Sequence, residues 1–265
     1  MWIEPTPGEL AGLAAELCGL YGMSEVLIAP GEGTPEETAA DVGAVLGRYL
    51  SGAIQDGMVI GAGWGRTLAA ALATFRPQRR RNVEVVSLLG GLLAPDTLNP
   101  IDFSWQIATA LGAECSLFLA PLIVDSPETK DRLLDACGLG ALTEMAQRLD
   151  LAVVSCGDVG PGGSSFSRQF LLPDDLDGLL AAGAICDTLC QFLDAEGRTI
   201  DHPIRHRVMS VDLDIVASAP HVILASGGRA RAPAIRAAIL RTRCRTLVTD
   251  EAAARELVAL SAAGG

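Results

Sequence analysis

The stretch "VIGAGWGRTLAAAL", residues 59–72, decides the fold. An apolar run enters Gly61, Gly63 and Gly65, meets Trp64, Arg66 and Thr67, and leaves through alanines. A strand that ends in glycines and turns at once into a helix is the joint of a βα unit. Only glycine permits φ > 0 there and lets the backbone approach a ligand closely. The helix predicted from about Thr67 offers unpaired N–H groups and a positive dipole end to that joint, which suits an oxyanion. The Thr67 hydroxyl and the Arg66 guanidinium would add donors. The motif is not a dinucleotide fingerprint, because Arg66 replaces the last glycine of G-x-G-x-x-G and Glu84 comes too early for a ribose acid. Nor is it a P-loop, since no Gly-Lys-Ser/Thr follows.

Working outward, helix and strand patterns alternate along nearly the whole chain. "SEVLIAPG" reads as a strand, and "TPEETAADVGAVLGRYLSGAI" as a helix capped by Thr34 with Pro35 at its first position. "NVEVVSLLGG" (82–91), "CSLFLAPLIV", "LAVVSCGDV", "HVILASGG" and "CRTLVTD" read as further strands. A helix is expected over 101–111, and others over "SPETKDRLLDA", with a Ser126 cap, "LTEMAQRLD", "APAIRAAILRT" and "EAAARELVAL". "GAICDTLCQFLDAEGRTID" predicts two extended segments about the turn "AEGR", and "GPGGSSFSRQF" a loop. Continuous apolar strands separated by helices imply a mostly parallel sheet covered on both faces. No linker breaks the pattern. The expectation is an α/β fold, a three-layer α/β/α, Rossmann-like, doubly wound single domain over residues 1–265, with a helix in 1–22 serving as linker or dimer element.

In such a sheet ligands bind beyond the carboxyl ends of the strands. Turn glycines fall there at 61–65, 90–91 and 227–228. After Gly227-Gly228, Arg229 and Arg231 stand at a predicted helix start, where cations oppose the helix dipole. They call for a compensating anion, such as a bound phosphate, or an exposed position. Asp187, in "GAICDTL", is an acid on a strand expected to be buried, and a buried carboxylate needs partners. Sugar hydroxyls would serve. Asp201 beside His202 could polarise a general base, but a polar loop or subunit contact is the preferred reading of that segment. No G-x-S-x-G elbow occurs.

The 265 residues are 49% hydrophobic, ample for a core, yet no apolar stretch reaches the ~18 residues of a membrane span. The N-terminus, with Glu4, Pro5, Pro7 and Glu9, lacks signal-peptide character, so a cytoplasmic location is expected. The seven cysteines form no C-x-x-C and no zinc spacing; free buried thiols are expected, and neither metal nor cofactor. A net charge of −12 argues against this chain itself holding DNA. Lys130 is the only lysine and lies in the charged stretch "SPETKDR", which nearly excludes an amine nucleophile at a buried site.

Six segments in chain order, "VIGAGWGRTL" (59–68), "VVSLLGG" (85–91), "LFLAPLIVDSPETKDRLL" (117–134), "GAICDTLCQFLDAEGRTIDHPIRHRVMSV" (183–211), "VILASGGRARAPAIRAAI" (222–239) and "LVTDEAAA" (247–254), carry a resemblance. The chain resembles the sugar-binding effector domain of the SorC/DeoR-type bacterial transcriptional regulators, over residues 8 to 260. That resemblance implies a fold related to glucosamine-6-phosphate deaminase and ribose-5-phosphate isomerase. It also implies reversible binding of a phosphorylated sugar or related carbohydrate effector, which controls oligomerisation and operator affinity. By the family pattern the phosphate cradle falls on Gly65, Arg66 and Thr67, the following glycine pair on Gly90 and Gly91, and the acidic sugar contact on Asp187. Arg231 stands where the family has lysine and keeps the charge. The candidate ligand contacts are therefore Gly63, Trp64, Gly65, Arg66, Thr67, Gly90, Gly91, Asn99, Arg168, Asp187 and Arg231, with no catalytic residue. The family's helix-turn-helix does not precede this domain here. DNA would be reached only through such a domain, whether the chain is a piece of a longer regulator or an effector-only protein. A homodimer or homotetramer is expected. The competing reading is a sugar-phosphate isomerase or deaminase of the same fold, with Asp187 or His202 as base.

Overall fold

A computed structural model describes residues 7–31, 33–92, 99–160, 163 and 170–263. Its main sheet has seven strands: β1 (Glu25–Ala29), β2 (Val59–Ala62), β3 (Glu84–Ser87), β4 (Glu114–Ser116), β5 (Leu151–Val154), β9 (His221–Ala225) and β10 (Thr246–Asp250). They lie in the order β1-β10-β9-β5-β2-β3-β4, and every pair is parallel. A small antiparallel sheet, β6 (Gly157–Asp158), β7 (Cys186–Thr188) and β8 (Gln191–Leu193), accompanies it.

The helices are α1 (Pro7–Tyr21), α2 (Pro35–Ala53), α3 (Arg66–Ala71), α4 (Pro100–Leu111), α5 (Pro127–Asp135), α6 (Gly140–Ala146), α7 (Pro173–Ala181), α8 (Leu213–Ser218), α9 (Ala232–Thr242) and α10 (Glu251–Ala263). Side chains along each strand point alternately to two cores. Ile60, Val85, Val153, Ile223 and Val248 meet Val42 and Leu46 of α2, Leu68 of α3 and Ile107 of α4. Val86, Ala152, Val154, Val222, Leu224 and Leu247 face the other way, with Leu17 of α1, Leu142 of α6, Ile235 of α9 and Leu257 of α10. This is the expected three-layer α/β/α sandwich. The N-terminal α1 packs on its own domain, where the Tyr21 hydroxyl donates to Leu257 O at 2.9 Å.

Local chemistry explains the best-read elements. Thr34 caps α2 with a full capping box: Thr34 N donates to Glu37 Oε2 at 2.9 Å, Glu37 N to Thr34 Oγ1 at 3.3 Å, and Pro35 follows. Ser126 and Asn99 cap α5 and α4 with one side-chain bond each, accepting from Thr129 N and Ile101 N, and each is followed by proline.

Three segments differ from the sequence reading. Only the first two residues of "CSLFLAPLIV", Cys115 and Ser116, belong to a parallel strand, β4. Beyond it Leu119 N and Ala120 N bond back to Leu117 O and Phe118 O, and Pro121 lacks the N–H a ladder needs. "LAVVSCGDV" divides after Val154: its first half joins the main sheet and Gly157–Asp158 the small one. In the extended pair, the hairpin turns at Leu189-Cys190, and "AEGR" makes a second, later turn closed by the Leu193–Thr199 bridge. Leu189 and Cys190 both take φ > 0, at +53° and +58°, the mirror-image geometry that normally selects Asn or Gly. Their identity therefore concealed the turn.

Candidate functional site

The chain runs from β2 outward through β3 to β4, then returns to β5 on the far side of β2 and continues to β9 and β10. The neighbours β2 and β5 therefore send their connections in opposite directions. A crevice must open beyond their carboxyl ends.

A pocket partly open to solvent lies there, lined by Pro35, Ala39, Trp64, Gly65, Arg66, Thr67, Ser155, Cys156, Gly157, Asp187, Leu189 and Arg231. Each wall has a local cause. Gly63 N donates to Val153 O at 2.9 Å, holding the chain that leaves β2 beside β5. A side chain on Gly63 would meet Val153 O at 3.0 Å and the Leu189 side chain at 3.2 Å, so this position is packing rather than lining. Gly65 stands at φ +132°, ψ 164°, a conformation essentially reserved to glycine, and turns the chain into α3. The first N–H groups of that helix lack intrahelical partners and face this end of the sheet. Helix α3 is pressed close to α2, because a Cβ on Gly43 would lie 2.6 Å from Ala70 Cβ and 2.7 Å from Thr67 O.

Thr67 is 4% exposed and Asp187 5%. Asp187 sits opposite Gly157 in the small sheet, which brings the hairpin to the mouth of β5. The Arg231 side chain is 14% exposed. Its Nη1 donates to Gly227 O at 2.7 Å and its Nε to Asp158 Oδ1 at 3.3 Å. The charge that the sequence left in need of an anion thus has carboxylate company from within the chain. Arg231 ends a short 3₁₀ turn, Arg229–Arg231, before α9 begins at Ala232. Arg66 reaches Glu36 Oε1 at 3.4 Å, with 32% of its side chain exposed.

The pocket unites Trp64, Gly65, Arg66, Thr67, Asp187 and Arg231 from three separate stretches of chain. Gly90, Gly91 and Asn99 are not among its lining residues. Gly90 N donates to Met209 O and Gly91 N to Ala120 O, both at 2.8 Å, and a Cβ on Gly90 would lie 2.6 Å from Ala120 O. This glycine pair serves a close backbone crossing. Asn99 caps α4 and donates from Nδ2 to Leu92 O at 2.9 Å. Arg168 lies outside the described residues. Gly228 N donates to Asp250 Oδ1 at 2.6 Å, so an internal carboxylate takes up this turn as well.

Sequence reasoning missed Pro35, Ala39, Ser155, Cys156, Gly157 and Leu189. The end of β5 gave one signal, the glycine that follows Ser155-Cys156; the hairpin gave none. Among the described residues no group of three or more His, Cys, Asp or Glu could hold a metal ion. No helix among them is long and apolar enough to cross a membrane. Lys130 is half-buried on α5, away from the pocket lining, and its Nζ donates to Arg205 O at 3.4 Å. Burial pushes its amine down from the usual lysine range.

This fold is shared by sugar-binding domains of transcriptional regulators of the SorC/DeoR type. The chain belongs to the family described as "Putative sugar-binding domain", whose model matches residues 7–259. It is 27% identical over 255 residues to the "Erythritol catabolism regulatory protein EryD" of Brucella abortus, covering 94% of this chain and 79% of that protein. It is 29% identical over 259 residues to the "Transcriptional regulator LsrR" of Klebsiella pneumoniae, covering 94% and 76%. In fold it is similar to the full-length sorbitol operon regulator SorC of Klebsiella pneumoniae, with a TM-score of 0.85, 21% identity, and 97% and 84% of the two chains covered. A transcriptional regulator from Streptococcus pneumoniae gives a TM-score of 0.87 at 21% identity, covering 97% and 99%.

Proposed function

We propose that this domain senses a small carbohydrate effector, a phosphorylated sugar or close relative, bound reversibly in the pocket between β2 and β5, and that it controls the assembly and DNA binding of a regulator. One observation carries the reading: Thr67, Asp187 and Arg231, distant in sequence, line a single pocket at the point where the sheet reverses its winding. The arrangement offers donors for an anionic group from Arg66, Thr67 and Arg231, and a carboxylate, Asp187, that can accept sugar hydroxyls. Binding is non-covalent with respect to amines, since Lys130 lies away from the lining. The named relatives are regulators, which favours sensing over catalysis by Asp187 or His202; the latter instead caps a 3₁₀ turn by accepting from Ile204 N at 3.3 Å. Operator DNA would be reached through a helix-turn-helix partner domain, in a cytoplasmic homodimer or homotetramer.

Calorimetry tests the site with a panel of sugar phosphates and free polyols, erythritol and erythritol 4-phosphate among them because of the erythritol-regulating relative. Thr67→Ala and Arg231→Gln should each weaken the ligand by about 1.5–3 kcal/mol, roughly ten- to a hundredfold. Unchanged affinity in both variants removes the assignment. Turnover of a sugar phosphate, followed by NMR, would favour the enzyme instead.

A further inference from the structure

The charged and backbone donors that the glycine turns bring to the carboxyl end of the sheet already have acceptors within the chain. Arg66 Nη1 lies 3.4 Å from Glu36 Oε1, and Arg231 Nε lies 3.3 Å from Asp158 Oδ1. The Arg231 Nη1 donates to Gly227 O at 2.7 Å. In the turn after β9, Gly228 N donates to Asp250 Oδ1 at 2.6 Å. At the start of α2, which brings Pro35 and Ala39 to the pocket, Glu37 N is taken by Thr34 Oγ1. Helix α3 is only six residues long, so few aligned peptides add to the charge at its N-terminus.

The charge balance points the same way. Asp187 lines the pocket, and Glu36, Asp158 and Asp250 hold the donors just named, against the two guanidiniums of Arg66 and Arg231. Arg229 is exposed and not among the lining residues, and Arg168 lies outside the described residues. Counting both would bring guanidiniums to equality with carboxylates, not to the positive excess that a dianionic phosphate calls for. A second anion placed among carboxylates is repelled, which is how a site rejects a wrong partner.

Hydrogen-bonding capacity separates the two ligand classes further. A phosphate dianion only accepts, so it cannot satisfy Asp187 and must displace Asp158 to gain Arg231. A hydroxyl both donates and accepts, so it can join the network with the internal pairs in place. Neighbouring hydroxyls donating to Asp187 make charge-assisted bonds without bringing a charge of their own. Thr67 and Ser155 add neutral hydroxyls to the lining, and Trp64, Leu189 and Pro35 add apolar surface for a carbon skeleton.

We propose that the effector of this pocket is an uncharged polyhydroxylated compound, a sugar alcohol or free sugar, and that the carboxylates of Asp158 and Asp187 exclude its phosphorylated form. The proposal rests on the carbohydrate reading above and narrows it to the unphosphorylated members.

Calorimetry on the intact chain compares erythritol, ribitol and sorbitol, and the aldoses and ketoses of the same lengths, each with its terminal monophosphate. Every pair is measured in low salt and in about 0.5 M NaCl, where exposed charges are screened. A skeleton that binds is expected to favour its free form over its phosphate by at least about tenfold in low salt. The free form's affinity should not change with salt. Asp187→Asn should weaken the free form by about tenfold and narrow its lead over the phosphate, with thermal unfolding reporting that the variant is folded. The comparisons in the native chain decide the matter without that variant. Phosphate binding as tight as the free form, or tighter, overturns the proposal and leaves the carbohydrate reading in place. Silence across the whole panel removes both.

Discussion

Arg231 and Asp158 form an ion pair, Nε to Oδ1 at 3.3 Å, within the wall of the pocket. The pair comes from opposite flanks, Asp158 from β6 and Arg231 from the turn before α9. The guanidinium that would meet an anionic ligand is thus already held by a carboxylate. A ligand phosphate must compete with Asp158 for it.

Asp158→Asn removes that competitor. Affinity for a phosphorylated ligand is expected to rise by about 0.5–1 kcal/mol, roughly two- to fivefold, while an uncharged polyol is unaffected. Calorimetry on a matched pair of phosphorylated and free ligand reads this. A loss of phosphate affinity would show instead that Asp158 orients Arg231 for the ligand.

Gly65→Ala tests the turn into α3. A Cβ there would meet Ser155 only at ordinary contact distance, 3.4 Å, so space is not the obstacle. The cost comes from the backbone, at φ +132°, and is expected to be about 1–3 kcal/mol of stability in chemical unfolding. A neutral substitution would mean that the turn relaxes readily.

Gly43→Ala acts at a distance. Its methyl would sit 2.6 Å from Ala70 Cβ and force α3 away from α2. Overpacking of this kind costs about 1–3 kcal/mol. Because α3 carries Thr67, ligand affinity should fall together with the melting temperature. A fall in stability alone would show that Thr67 is positioned independently of α2.

Stability should decline on mild acidification through His221. Its Nε2 lies 2.8 Å from Thr246 Oγ1, and its ring meets Tyr49 edge-on at 6.4 Å. Burial, helped by Arg245 and opposed by Glu25, lowers its pKa in the folded chain. The unfolded chain therefore binds the proton first. The stabilisation is complete above about pH 6.5, the unfolded value, and is lost as pH falls from there towards the depressed folded value. Thermal unfolding between pH 8 and 5, in the native protein and in His221→Gln, should show a shallower acid decline in the variant.

The frame of this domain was legible because local and global signals agree at the decisive places. Thr34-Pro35 and Ser126-Pro127 cap the helices they announce, and the glycines after β2 end the strand where expected. Thr67, Asp187 and Arg231 could be singled out because each breaks the pattern of its neighbours. What stayed hidden has a common cause. Ser155 and Cys156 look like the tail of an apolar strand, and nothing local says that the sheet changes direction beside them. Leu189 and Cys190 adopt a turn that their chemistry disfavours, held there by burial in the tertiary packing. Gly90 and Gly91 are not among the pocket's lining residues, and a glycine pair at a strand end looks the same whether a ligand or another stretch of backbone comes close.

The reversal of winding between β2 and β5 also has a mechanical meaning. Anything seated there touches chain that belongs to two oppositely built halves, residues 35–67 on one side and 155–231 on the other. Its occupant works as a rivet through the seam of the sheet. Amide hydrogen exchange would accordingly slow on both banks at once, far beyond the few groups in direct contact.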